Sequence, residues 1–149
     1  MPIAVVVTLA AALALPASAS GVDGPGVVSF PNATILPRQD KSARGYLSPA
    51  ISTLLRPGFC WELSLATRSQ PLFAYLRRAG TGRIVATIDT RDNHIPTMPW
   101  SGSGSYSGCT PISRADERAF LRRPALYYLD VRTQTARHAA VAHPRGPHL

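Results

Sequence analysis

The chain alternates apolar and polar residues in several separate runs, a two-residue period typical of strands with one face in a core and the other in water. The clearest run is Pro124–Thr133, which is rich in aromatic and branched residues. Its apolar face carries Tyr127, Leu129 and Val131, and its other face carries Tyr128, Asp130 and Arg132. We expect Tyr128 to pack beneath a neighbouring helix; a position on a binding surface is the alternative.

Similar runs occur throughout the chain, separated by turn-forming residues. The predicted strands are Val27–Phe30, Gly45–Leu47, Ile51–Leu55, Phe59–Leu65, Leu72–Arg77 and Ile84–Ile88, with another at Cys109. For the two segments that flank Pro49, Gly45–Leu47 and Ile51–Leu55, one strand followed by a short helical turn is the alternative. We interpret the Ser- and Gly-rich residues 101–108 as a loop that enters the Cys109 strand, and residues 89–100 as a loop. Short strands about 8–12 residues apart predict an all-β fold, an antiparallel sandwich or barrel.

One short helix interrupts this pattern at residues 113–123. Ser113 and Asp116 have the spacing of a capping box, Glu117 adds negative charge to the first turn, and Pro124 ends the helix. Ala115, Ala119 and Phe120 form its predicted apolar stripe.

The first residues are typical of a signal peptide. The apolar run Ile3–Leu15 is too short to span a bilayer, Pro16 ends it, and Ala17-Ser18-Ala19 matches a cleavage pattern, although no basic residue precedes the run. A buried N-terminal helix or strand is the alternative. We therefore predict a signal peptide at 1–19, a linker with the first strand at 20–42, and a β domain at 43–149. No later run has the length of a membrane anchor, so we expect a secreted or cell-envelope protein.

Cys60 and Cys109 are the only two cysteines. In an exported chain an even count indicates a disulfide. Two free thiols or a metal-binding pair are the alternatives, and no Cys-x-x-Cys spacing supports the metal.

The sequence offers no evident catalytic, cofactor or metal site. Gly104-Ser105-Tyr106-Ser107-Gly108 has tyrosine where a nucleophile elbow requires serine. His94 lies in a Pro-rich loop, and His138, His143 and His148 are spaced five apart, which suits neither a helix face nor a strand face. We interpret these tail histidines as solvent-exposed, and we expect any strand after residue 133 to be frayed or at an edge, because Pro144 and Pro147 lack a backbone donor.

The order of these segments resembles the CHRD domain, a repeat first recognised in chordin and widespread in exported bacterial proteins. The resemblance covers Ala43 to Thr133. It rests on Phe59–Leu65, on Leu72–Arg77, and above all on Gly108-Cys109 followed by the helix and Pro124–Thr133. It implies a β-rich sandwich or barrel, with a Greek-key arrangement like that of copper/zinc superoxide dismutase as one form, and no agreed activity.

The chain departs from the family at two places. The family often carries an Ala-His-Ile-His strand, whereas this chain has Ala74-Tyr75-Leu76-Arg77, with a cation where a metal would sit. The family also tends to end Gly-x-Val/Ile-Arg-Gly-Gln-Leu, which residues 140–149 do not match. We therefore expect no metal role.

The leading hypothesis for function is a non-enzymatic binding or structural module outside the cell. With 16 basic and 8 acidic residues, its expected partner is a protein or an anionic cell-surface polymer. A degenerate superoxide-dismutase relative or an unrecognised exported enzyme is the alternative. We do not expect nucleic-acid binding, because the aromatic residues are interleaved with the strand core rather than placed beside the arginines.

Overall fold

The computed structural model describes residues 26–54, 56–91 and 100–146. The predicted signal peptide, residues 20–25 of the predicted linker, His94 and His148 lie outside these ranges. The described residues are all-β, as the alternation predicted, except for one α-helix and a short 3-10 helix at Pro124–Leu126; the strand predicted at 124–133 therefore begins at Tyr127. The elements in chain order are β1 (Val27–Ser29), β2 (Ala33–Thr34), β3 (Leu36–Pro37), β4 (Arg44–Ser52), β5 (Gly58–Ala66), β6 (Pro71–Arg78), β7 (Ile84–Asp89), β8 (Ser103–Pro111), α1 (Arg114–Arg122), β9 (Tyr127–Thr133) and β10 (Ala140–Ala142).

The strands form two antiparallel sheets in a sandwich-like arrangement. Sheet A has the order β1-β4-β5-β8, with β2 also paired to β4, and sheet B has the order β3-β10-β9-β6-β7. In the described part of the chain, five pairings join strands that are not neighbours in sequence: β1 with β4, β2 with β4, β3 with β10, β5 with β8, and β6 with β9. Returns of this kind are typical of Greek-key connections. The closer similarity to superoxide dismutase stays a prediction.

The core lies between the two sheets and is closed at one end by α1. Phe120 of the helix contacts the rings of Phe59 from sheet A and Tyr127 from sheet B, at centroid distances of 5.6 and 5.1 Å. Phe30 approaches the same ring at 5.0 Å. Phe120 therefore joins both sheets to the helix through one aromatic cluster.

The helix begins as predicted but faces the core differently. The Asp116 N–H donates to the Ser113 hydroxyl at 3.0 Å, and the helix ends before Pro124. Asp116 and Glu117 are buried, whereas Ala115, assigned to the apolar stripe, is exposed. Tyr127, not Tyr128, packs against the helix, so the expected position of Tyr128 was wrong.

Two strand predictions and one loop prediction also need correction. Gly45–Leu47 and Ile51–Ser52 belong to one strand, β4, which continues through Pro49. The Pro49 carbonyl accepts from the Phe30 N–H at 3.0 Å, so the backbone groups of Pro49 face the β1 side. The N–H that proline lacks is therefore not one that would bond to β5. Most of the predicted 101–108 loop is strand β8.

The C-terminal strand is not at an edge. β10 lies between β3 and β9, and its three residues are all buried. It ends before Pro144, so no proline removes a donor from it. Because β10 is buried on both faces, Ala140–Ala142 does not alternate between apolar and polar residues. The alternation that identified the other strands therefore did not identify this one.

Candidate functional site

A polar cluster lies on the outer face of sheet B, where the alternation predicted solvent. Asp130 of β9 is only 4% exposed, although it shares this face with Tyr128 and Arg132. Its carboxylate accepts from Nε of Arg77 on the neighbouring strand β6 at 3.0 Å. It also lies 3.0 Å from Nδ1 of His138. The charged and polar partners around it account for a buried carboxylate at this position.

The sheet register brings Arg77 to Asp130. Tyr75 lies directly opposite Asp130 and Arg77 lies opposite Tyr128, so Arg77 and Asp130 are diagonal neighbours on one face. The Arg77 guanidinium is fixed further, because Nη1 donates to the Gly82 carbonyl at 2.9 Å. Arg77 is thus part of a hydrogen-bonded cluster.

His138 is held by its backbone as well as by its ring. Its N–H donates to Oε1 of Gln39 at 2.9 Å, and its carbonyl accepts from the Gln39 N–H at 3.0 Å. In the tautomer with the proton on Nδ1, His138 donates to a carboxylate oxygen of Asp130. The ring remains 59% exposed and has Nε2 as its second polar atom. His138 is therefore exposed, as predicted, but oriented.

An open cleft of about 480 Å³ begins at this cluster. It is lined by Arg38, Ala79, Gly80, Tyr128, Asp130, His138, Val141 and His143. The Tyr128 ring lies 6.2 Å from the His143 ring, and the Arg38 N–H donates to the Ala139 carbonyl at 2.9 Å. The cleft thus combines an aromatic side chain, a guanidinium and two imidazoles, with a carboxylate already bonded to other side chains.

The cleft has the chemistry to bind an anion with an apolar or ring-shaped body. Arg38 is the positively charged residue of the lining, and Arg77, which is not part of the lining, pairs with Asp130 and offsets its negative charge. Its lining includes no serine, threonine or cysteine. Among the described residues, no group of three histidine, cysteine or acidic side chains is placed to bind a metal ion.

The sequence-based search missed this site. His138 was interpreted as one of the solvent-exposed tail histidines, and Asp130 was assigned to the strand face opposite Tyr127, Leu129 and Val131. One signal was available, since a carboxylate in the middle of an otherwise apolar-aromatic strand requires partners if a neighbouring segment covers it.

The predicted disulfide is confirmed and lies on the outer face of sheet A. Cys60 and Cys109 are direct cross-strand partners of β5 and β8. Cys60 is half-buried and Cys109 is exposed. The bridge lies on the opposite sheet from the cleft, so it stabilises the fold without entering the candidate site.

Comparisons of the chain with protein-family models, with curated proteins and with solved structures gave no match. No helix within the described ranges is long and apolar enough to cross a membrane.

Proposed function

We propose that this chain is an exported, non-enzymatic binding domain of the CHRD type, and that its cleft on sheet B binds the anionic groups of a cell-surface polymer. The observation that carries the proposal is the fixed cluster of Arg77, Asp130 and His138 beside Arg38 and Tyr128. The N-terminal apolar run and the disulfide support export, since disulfides persist in oxidising compartments. The order of segments between Ala43 and Thr133 supports the family.

The chemistry of the cleft favours a polymer with carboxylate or phosphate groups. A guanidinium such as that of Arg38 matches either oxyanion with paired donors. The face of Tyr128 offers an amphipathic ring for the body of a repeating unit. The formal net charge of +8 adds long-range attraction to polyanions.

Isothermal titration calorimetry near physiological salt, with polygalacturonate and polyphosphate as separate probes and dextran as the neutral control, tests the proposal. Arg38→Ala and Tyr128→Ala are each expected to weaken binding to the preferred polyanion by about tenfold. Arg118→Ala removes the same charge from an exposed position on α1 and is the matched control. The two probes distinguish a carboxylate polymer from a phosphate polymer.

Two outcomes would contradict the binding proposal. One is that neither polyanion binds. The other is that Arg118→Ala weakens binding as much as Arg38→Ala does, because the affinity would then reflect net charge and not the cleft.

The Asp130–His138 pair favours a second candidate, an exported hydrolase, because a carboxylate that orients Nδ1 leaves Nε2 available as a base. This candidate predicts turnover of p-nitrophenyl acetate that His138→Gln abolishes. The binding proposal predicts that the two chains hydrolyse the ester at the same background rate.

A further inference from the structure

Strand β8 is the longest open edge in the described part of the fold. It has nine residues and pairs on one side only, with β5. The edges at β1 and β3 have three and two residues, and β3 includes Pro37. The edge strand β7 has six residues and a register irregularity in its pairing with β6. Short length, proline and bulges are the usual protections of an edge, and residues 103–110 have none of them.

Two hydrogen bonds at its ends establish which backbone groups of β8 face outward. The Ile112 N–H donates to the Pro57 carbonyl at 3.0 Å, and the Thr67 N–H donates to the Gly102 carbonyl at 3.1 Å. Ile112 and Gly102 are even-numbered residues just beyond the two ends of β8. Each is bonded to the residue that lies opposite it when the β5–β8 register is continued. Hydrogen-bonded and non-bonded pairs alternate in antiparallel sheets, so odd-numbered residues point their N–H and C=O groups away from β5.

The outward-facing residues that carry an N–H are Ser103, Ser105, Ser107 and Cys109; Pro111, the last residue of β8, also faces outward but has no N–H. The Ser103 carbonyl accepts from the Ser101 hydroxyl at 3.3 Å. Among the described residues, the other backbone groups of these four have no partner on the open side. At the far end of β8, the Thr110 hydroxyl donates to the Thr87 carbonyl of β7 at 3.2 Å, so the part near Ser103 to Ser107 is the more open.

We propose that β8 pairs antiparallel with β8 of a second copy of this chain and extends sheet A across a two-fold axis. Residues 103–109 read Ser-Gly-Ser-Tyr-Ser-Gly-Cys, nearly the same in both directions around Tyr106. An antiparallel copy therefore sets serine opposite serine and glycine opposite glycine. No residue of β8 is charged, so pairing two copies opposes no like charges along the strand.

The open edge provides variants that block pairing without disturbing the monomer. Proline at Ser105 or Ser107 removes an N–H that β5 does not use, a position where edge strands tolerate proline. Ser105→Thr keeps the N–H and is the matched control. Ser107→Lys is a second blocking variant, because it places like charges near each other across the proposed axis.

Sedimentation velocity over a wide concentration range measures the association, with an intact-disulfide mass and circular dichroism as checks of folding. The expected result is a dimer that Ser105→Pro, Ser107→Pro and Ser107→Lys each weaken by about tenfold or more, while Ser105→Thr retains it. A native chain that stays monomeric throughout overturns the proposal, and so does a dimer that the proline variants leave unchanged. In the monomeric case, pairing of β8 with a strand of another protein becomes the reading to test.

Discussion

Asp130 and His138 form a side-chain pair on the outer face of sheet B, with Nδ1 of His138 3.0 Å from the carboxylate oxygens. Asp130 lies in β9, and His138 lies in the turn between β9 and β10. The alternation of β9 assigns Asp130 to the solvent-facing side, but its contacts with Arg77 and His138 leave it buried. The candidate cleft depends on this pair.

Asp130→Asn is expected to lower the free energy of unfolding by about 1–3 kcal/mol, because the amide carries no negative charge and its NH₂ group replaces one of the two acceptor oxygens beside Arg77 and His138. Urea unfolding measures the change. Asp89→Asn is the matched control; its pair with Arg91 is more exposed, so the expected loss is below about 1 kcal/mol. Equal losses in the two variants would contradict a special role for the Asp130 cluster.

The Cys60–Cys109 bridge is expected to contribute about 4 kcal/mol, because it joins residues 49 apart and restricts the unfolded chain. Thermal and urea unfolding of the Cys60→Ala/Cys109→Ala double variant measure this contribution. The folded double variant should keep the ligand affinity of the cleft, since the bridge lies on the other sheet. Loss of affinity without loss of folding would show that the two sheets are coupled.

Phe120→Ala is expected to lower the free energy of unfolding by about 3–5 kcal/mol, since it leaves a cavity between Phe59, Tyr127 and Phe30. Phe120→Leu should cost less because it fills part of that space. Arg118→Ala, on the exposed side of the same helix, should change stability by no more than about 0.5 kcal/mol. Chemical denaturation of the three variants tests whether Phe120 joins the sheets.

Asp116 is expected to make stability depend on pH at the acid end. Burial acts to raise the pKa of its carboxyl, but hydrogen bonds from Arg83 and Ser113, with nearby positive charge, outweigh burial and hold the pKa below the ordinary value of 3.8. The folded chain then binds this proton less readily than the unfolded chain. The stability that Asp116 contributes is complete above 3.8, the unfolded value, and is lost as pH falls through the folded pKa.

Urea unfolding of Asp116→Asn across this acid range should therefore show a smaller loss of stability than the native chain shows. Arg83→Gln should reduce the dependence in the same direction, and Arg118→Gln should not. An unchanged acid dependence in Asp116→Asn would show that other carboxyls account for it.

Local signals in the sequence predicted most of the elements. Strands β5, β6, β7 and β9 follow from a two-residue period, and the start and end of α1 follow from Ser113 and Pro124. These features need only contacts within a few residues, so the amino-acid order is enough to recognise them. The pairing of Cys60 with Cys109 was also predictable, because a two-cysteine exported chain has one possible intramolecular bridge.

Tertiary structure decided which of these elements are neighbours, and with them the site. Asp130 is buried because the β6–β9 register brings Arg77 beside it and the β9–β10 turn returns His138. Tyr128 lines the cleft because Tyr127 occupies the space beneath α1. The open edge of β8 follows from its position at the end of sheet A. Each of these outcomes depends on contacts between residues far apart in the chain. The hydrophobic pattern around a residue indicates its secondary structure but not which distant residues will contact it.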